Sequence, residues 1–241
     1  MSKVQYKAFM LMMALLISTG LFSQANKIAG WYSLNTKLHL NENWIMYVEG
    51  QIRSQQLNNN FYYHDLKAGV IFNPSDKLGL QLGSGDFNTY SSDGNFKSPV
   101  QTEFRLWEQI QLYSKINVVK FDHRYRVEQR FFSSGFKSRV RYRLNAIIPL
   151  TKQQAINKTI NVIVNDEIFL TPVNQVFEKN RWYAGLGYNT NKHFGLQIGW
   201  TDDFDLKNDR TTTRKNYIQT ALLFDIYKLQ HPKRTHPETA N

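Results

Sequence analysis

The chain contains no cysteine, only six prolines, and no uninterrupted apolar stretch of spanning-helix length. Without cysteine there is neither a disulfide framework nor a thiol for lipid attachment. A transmembrane helix needs roughly 20 consecutive apolar residues, so a helical membrane protein is excluded. The mean hydropathy of −0.49 does not exclude a membrane β-barrel, whose strands show lipid only every second residue. The prolines, Pro74, Pro99, Pro149, Pro172, Pro232 and Pro237, fall at the ends of patterned segments or between them. Proline cannot donate to a strand ladder, so this placement suits a chain made mostly of paired strands. A Pro- or Ser-rich linker is also lacking, which leaves one domain as the expectation.

What is present begins with a leader. Lys3 and Lys7 precede an uncharged apolar run from Ala8 to Ile17, followed by the small residues Ser18, Thr19, Gly20 and Ser23. That order is expected of a secretory signal peptide over residues 1–24, with a barrel domain over 25–228 and a polar tail over 229–241.

Behind the leader, a period-two pattern recurs in about eleven segments, near 28–40, 43–54, 61–73, 77–89, 100–113, 117–132, 136–149, 159–169, 179–190, 193–204 and 214–227. In the seventh, Lys137, Arg139, Arg141, Arg143 and Asn145 alternate with Ser138, Val140, Tyr142, Leu144 and Ala146. Alternate side chains leave a strand on opposite faces, so this strand has a cationic face and a mainly apolar one. In a soluble sandwich the apolar face would turn inward to a core; in an outer-membrane barrel it would turn outward to lipid. The leader favours the second arrangement. So do the connections, where short links at 41–43, 74–76, 114–117 and 191–192 alternate with longer ones at 55–60, 91–99, 170–178 and 205–213. The expected fold is therefore all-β: an antiparallel transmembrane β-barrel of about 12 strands, since single-chain bacterial barrels usually have an even count. An odd count would instead start the mature chain at the external rim or inside the lumen. A soluble lipocalin-type barrel would have about eight strands.

Phase assigns the faces. Outward go Trp44, Met46, Val48 and Ile52; Phe104, Leu106, Ile110 and Leu112; Trp182, Ala184, Leu186 and Tyr188; Phe194, Leu196, Ile198 and Trp200; and Ile218, Thr220, Leu222, Phe224 and Ile226. Inward go Asp122, Arg124, Arg126, Glu128 and Arg130 of the sixth segment and Arg139, Arg141 and Arg143 of the seventh, flanked by Glu103, Arg105, Glu167 and Arg181. Hairpin neighbours place such side chains about 5 Å apart, within reach of bidentate arginine–carboxylate contacts. An interior of this kind serves either as a structural ion-pair plug or as a pathway or site favouring small anions, because rings of Arg and Lys attract them.

Other chemistries have little behind them. The net charge of +11 is spread over alternate strand positions, which is no nucleic-acid footprint. It suits contact with outer-membrane lipid and lipopolysaccharide phosphates. A lipid-modifying hydrolase would need Ser, His and an orienting residue at one depth; His64 and His123 are outward, Ser133 and Ser134 lie in a connection, and no Gly-x-Ser-x-Gly is present. No catalytic residue is assigned. No metal-ligand spacing appears, and Asp202, Asp203 and Asp205 are expected to solvate an external loop. No cofactor is expected.

Four stretches resemble a known family. They are Asp122-His123-Arg124-Tyr125-Arg126-Val127-Glu128-Gln129-Arg130-Phe131, Arg141-Tyr142-Arg143-Leu144, Asn165-Asp166-Glu167-Ile168-Phe169 and Asn180-Arg181-Trp182-Tyr183-Ala184-Gly185-Leu186-Gly187-Tyr188. They are similar to the domain of unknown function 2490 family. The resemblance, which runs from about Trp31 to Phe224, implies an exported outer-membrane barrel of Gram-negative bacteria, mainly Bacteroidota, and supplies no activity. A soluble periplasmic binding protein stays open as an alternative at this stage.

Overall fold

The computed structural model describes residues 28–91, 96–151, 158–172, 176–207 and 209–228. Within them every regular element is a strand: β1 (Ala29–His39), β2 (Trp44–Gln56), β3 (Asn59–Ser75), β4 (Leu78–Tyr90), β5 (Pro99–Ile116), β6 (Val119–Phe132), β7 (Gly135–Pro149), β8 (Thr159–Leu170), β9 (Phe177–Asn189), β10 (Phe194–Leu206) and β11 (Thr212–Tyr227). Each strand pairs antiparallel with its successor, and β1 closes the barrel against β11. The expected leader over 1–24 and the tail over 229–241 lie outside the described residues.

Two expectations are corrected. The barrel has eleven strands, not twelve, and the β1–β11 seam is parallel, in register from Ala29↔Tyr217 to His39↔Tyr227. The second correction follows from the first: an odd number of up-and-down strands brings the first and last to the seam running the same way. The described chain therefore starts at the end that carries the 91–98, 171–176 and 207–211 connections, here termed the loop end, and finishes at the opposite, turn end.

The alternation of connection lengths holds only in part. At the loop end, β2–β3 and β6–β7 are joined by two residues each, Leu57-Asn58 and Ser133-Ser134, while 150–158 is a long connection at the turn end. The tight turns have suitable chemistry: Asn58 and Asn117 adopt φ of 58° and 55°, the left-handed region that Asn tolerates better than most residues. Pro99 opens β5, Pro149 closes β7, and Pro74 sits where the β3–β4 register shifts between Phe72 and Ser75, all positions that spare the ladder a missing donor.

The interior has an aromatic layer laid flat against glycine. Trp107 and Tyr47 cover Gly83, where a Cβ would collide with the Tyr47 hydroxyl and the indole ring. Ile45, Tyr47, Ile71, Phe87 and Trp107 form one buried cluster, and Ala29, Trp31 and Tyr217 another beside the seam.

The exterior is the reverse of a soluble surface. Most outward positions assigned by phase are exposed, including Met46, Ile110, Leu186, Ile198 and Ile226, while Trp182, Ala184, Phe194, Trp200, Ile218 and Thr220 are half-buried. Outward aromatic pairs gather toward the two ends, with Tyr125–Tyr142 the exception midway along β6 and β7. Trp44–Phe72 and Phe194–Phe224 lie near the turn end, while Phe104–Phe131, His64–Tyr90 and Phe177–Phe204 lie near the loop end. Outward charges keep mostly to the loop end, where Asp166 accepts from Asn180 at 2.7 Å and Asp202 pairs with Arg214 at 2.6 Å. Glu108, midway along β5, is bonded to Gln129 at 2.9 Å.

An arginine-rich barrel interior as candidate functional site

The inward faces of β5 to β9 converge on a network of guanidinium and carboxylate groups. All twelve residues expected on the inner face are there; nine of them, from β5 to β8, join in one ion-pair system, and Asp122 with Arg143 forms a separate pair beside it. Glu103 accepts from Arg105 Nε at 2.5 Å and from Arg130 Nε at 2.5 Å. Glu128 accepts from Arg139 Nη2 at 2.6 Å and Arg141 Nη1 at 2.5 Å, with Arg126 at 3.5 Å and Arg105 at 4.0 Å. Glu167, on β8, accepts from Arg124 Nη2 at 2.5 Å and Arg141 Nε at 2.9 Å. Asp122 is held less closely, by Arg143 Nη2 at 3.3 Å and Gln111 Nε2 at 3.3 Å. The carboxylates are the most enclosed members: Glu128 is 1% exposed and Asp122 2%. Glu178 ties the loop end together, accepting from Arg130 at 3.4 Å and Arg139 at 3.2 Å.

Register explains why so many partners are needed. Arg124 lies directly opposite Arg143, and Arg126 opposite Arg141, across the β6–β7 ladder. Like charges facing each other destabilise a pair of strands. Glu167 from β8 and Glu128 from the same ladder therefore sit between guanidiniums that repel.

Arg181 belongs to a second group. Its Nε donates to Asp203 Oδ1 at 2.6 Å, and Lys179 reaches Asp203 at 3.4 Å and Asp205 at 2.9 Å. This corrects the expectation for the acidic triplet. Asp203 is 2% exposed and Asp205 joins it on the inner face, so only Asp202 turns outward. The cause is the strand period: β10 continues to Leu206, so its alternation carries through residues whose polarity suggested a loop.

Several inner residues were not singled out from sequence. Lys67 bonds Glu49 at 2.5 Å and lies 3.3 Å from Asp65. The Arg53 guanidinium stacks on Trp31 at 3.6 Å and on Tyr63 at 4.6 Å. Each of these side chains shares the odd-numbered inward phase of its strand, which was the available signal.

The loop-end half of the interior is crossed by contacts between distant strands. The Tyr62 hydroxyl on β3 meets that of Tyr217 on β11 at 2.7 Å, Lys215 donates to Gln55, and the Arg181 guanidinium lies 4.7 Å from the Trp31 ring. What space remains is a cavity of about 340 Å³. Twelve Lys or Arg side chains line it against four carboxylates, Glu49, Glu167, Glu178 and Asp205. The other partners, Asp65, Glu103, Asp122, Glu128 and Asp203, lie behind that lining, so the cavity faces mostly cations.

Comparison with known proteins adds one decisive match. A family model described as protein of unknown function (DUF2490) covers residues 28–214. The chain belongs to the DUF2490 family. No curated protein and no solved structure matches it. The DUF2490 match spans β1 to the start of β11 and so takes in the whole arginine network.

On the outer face of this DUF2490 barrel, the His64 ring lies 3.4 Å from Asn88 Nδ2, and His123 Nδ1 lies 3.0 Å from the Tyr142 hydroxyl. Neither contact involves a serine. Among the described residues no group of three or more His, Asp or Glu is placed to hold a metal ion. In the 207–211 connection, Asp209 accepts from the Thr211 hydroxyl at 2.6 Å and from its N–H at 2.9 Å, and these bonds hold its carboxyl below the usual range.

Proposed function

We propose that this chain is an exported outer-membrane β-barrel with a closed, cation-lined interior, and that it holds small anions rather than conducting solutes. The single observation that carries the membrane part is the inversion of faces: exposed Leu, Ile, Val and Met on the outside of a closed barrel, buried charge within. A soluble barrel would leave a large continuous apolar surface in water, far beyond the few hundred Å² that monomers usually show. The rest of the exterior supports lipid contact. Aromatic pairs near both ends fit the two interfaces of a bilayer, where amphipathic rings are favoured. Strands of 11 to 18 residues exceed the roughly 9–11 needed to cross when tilted. The leader of Lys3, Lys7 and the 8–17 apolar run supplies the route of export.

The closed interior is supported by the cross-lumen contacts of Tyr62, Tyr217 and Arg181 and by the paired network of β5 to β8. In planar bilayers, the purified protein is expected to give no discrete conductance steps. Steps of reproducible size would contradict the closed interior and make the cation-lined cavity an anion pathway instead.

A further inference from the structure

Near the turn end, the ion-pair network fails to satisfy itself. Arg124 faces Arg143, and in the next inward row Asp122 faces Asn145. Arg124 gives one nitrogen to Glu167, and Arg143 has a single contact of 3.3 Å with Asp122. The Nε atoms of both arginines are buried with no hydrogen-bond partner, as are Asp122 Oδ1 and both side-chain heteroatoms of Asn145. Asn145 is 1% exposed. Buried polar atoms in native proteins are nearly always paired, with protein, water or a ligand. Here orphaned donors and orphaned acceptors lie together beside a cavity that Arg124, Arg126 and Arg143 all line.

The charge says what kind of occupant fits. Arg126 spends its Nε on the neutral Gln109, at 2.7 Å, and Arg143 has only the long contact to Asp122. Arg143, facing Arg124 across the ladder with only that long contact, and Arg126, whose Glu128 partner stands at 3.5 Å, present planar forks of the geometry that oxyanions accept. A phosphate group supplies oxygens to accept from those forks, while Asp122, outside the cavity lining, holds Arg143 from behind.

We infer that the Arg124, Arg126 and Arg143 guanidiniums, backed by Asp122 and Asn145, bind a phosphoryl group, from inorganic phosphate or a small phosphate monoester. This rests on the proposed anion-holding interior and names its ligand. Water is the alternative occupant, and it would respond to no added solute.

The test is isothermal titration calorimetry on the refolded full barrel with inorganic phosphate and, separately, glycerol phosphate, against chloride at matched ionic strength. Saturable heat with either phosphate and none with chloride is the expected result; which of the two binds more tightly identifies the source. Arg143→Gln should weaken binding by at least about tenfold through loss of a charge-assisted fork, and Arg143→Lys should recover only part of it. Arg143→Gln removes a repulsive pair but leaves the buried Asp122 without its arginine, so its folding is checked by its heat-dependent gel mobility, with Arg143→Lys as the variant that keeps the charge. The exposed control Arg214→Gln should bind as the parent does. No saturable heat from a barrel that keeps its mobility shift, or equal affinity in Arg143→Gln, would overturn the site alone and leave the membrane fold standing. Loss of the mobility shift in the parent protein would instead count against the barrel reading itself.

Discussion

Glu128→Ala is expected to lower the unfolding free energy of the barrel by about 3–5 kcal/mol, the range for breaking a buried ion pair from one side. Glu128 is 1% exposed and takes its two short bonds from Arg139 and Arg141, with Arg126 and Arg105 within 4.0 Å. Its removal leaves that group of guanidiniums with Glu103, Glu167 and Glu178 alone. The loss is so large because the cost falls on the arginines left behind, which remain buried and charged, rather than on the deleted contact. Urea titration in detergent or lipid, followed by tryptophan fluorescence, reads the difference. Arg214→Ala provides the scale: that pair with Asp202 is at an exposed position, and its loss should amount to about 0–1 kcal/mol. A Glu128→Ala penalty no larger than that of Arg214→Ala would mean that water, not protein, neutralises the network.

Leu186→Arg separates the two environments an apolar exterior could have. Leu186 is 51% exposed and stands in register between Val162 and Ile198 on the outer face. On a barrel's lipid face Arg costs about 2–4 kcal/mol at the bilayer midplane and about 0–1 kcal/mol near the interfaces, and Leu186, in the turn-end half of β9, is expected to fall between the two. In water, the same change at an exposed leucine would fall within about 0.5 kcal/mol and improve solubility. The sign and size of the effect in refolded, lipid-reconstituted protein therefore report directly on what Leu186 touches. A neutral substitution would place the outer face in water.

Much of this fold was legible because a strand's period is two, and phase alone sorts side chains between inside and outside. Arg139, Arg141 and Arg143 went to the interior on that ground, as did Arg124, Glu128 and Glu167, and the structure puts each of them there. Which carboxylate serves which arginine was not legible. Glu128 holding both Arg139 and Arg141, and Glu167 reaching Arg124 two strands away, depend on register and closure rather than on local pattern.

Parity was misjudged for a related reason. Eleven segments were visible, but the even count expected of bacterial barrels carried more weight than the pattern itself. Nothing local in β1 or β11 marks a parallel seam, because alternation reads the same in either direction. The Asp203 and Asp205 pair was misplaced because acidic residues near a strand end look like a loop until their partners, Arg181 and Lys179, are seen across the ladder. Ser54 shows the limit of phase itself. The register shift between Arg53 and Ser54 lets this residue be fully buried, where it accepts the Gly30 N–H at 3.1 Å.

The most direct test of the central claim is a comparison of boiled and unboiled outer-membrane fractions from expressing cells by gel electrophoresis. A band in that fraction that migrates faster unboiled and shifts on heating is the predicted result, since a closed barrel with this buried network should resist detergent until heated. A soluble periplasmic protein with one mobility under both conditions would contradict it and turn the apolar exterior into an interface with another protein.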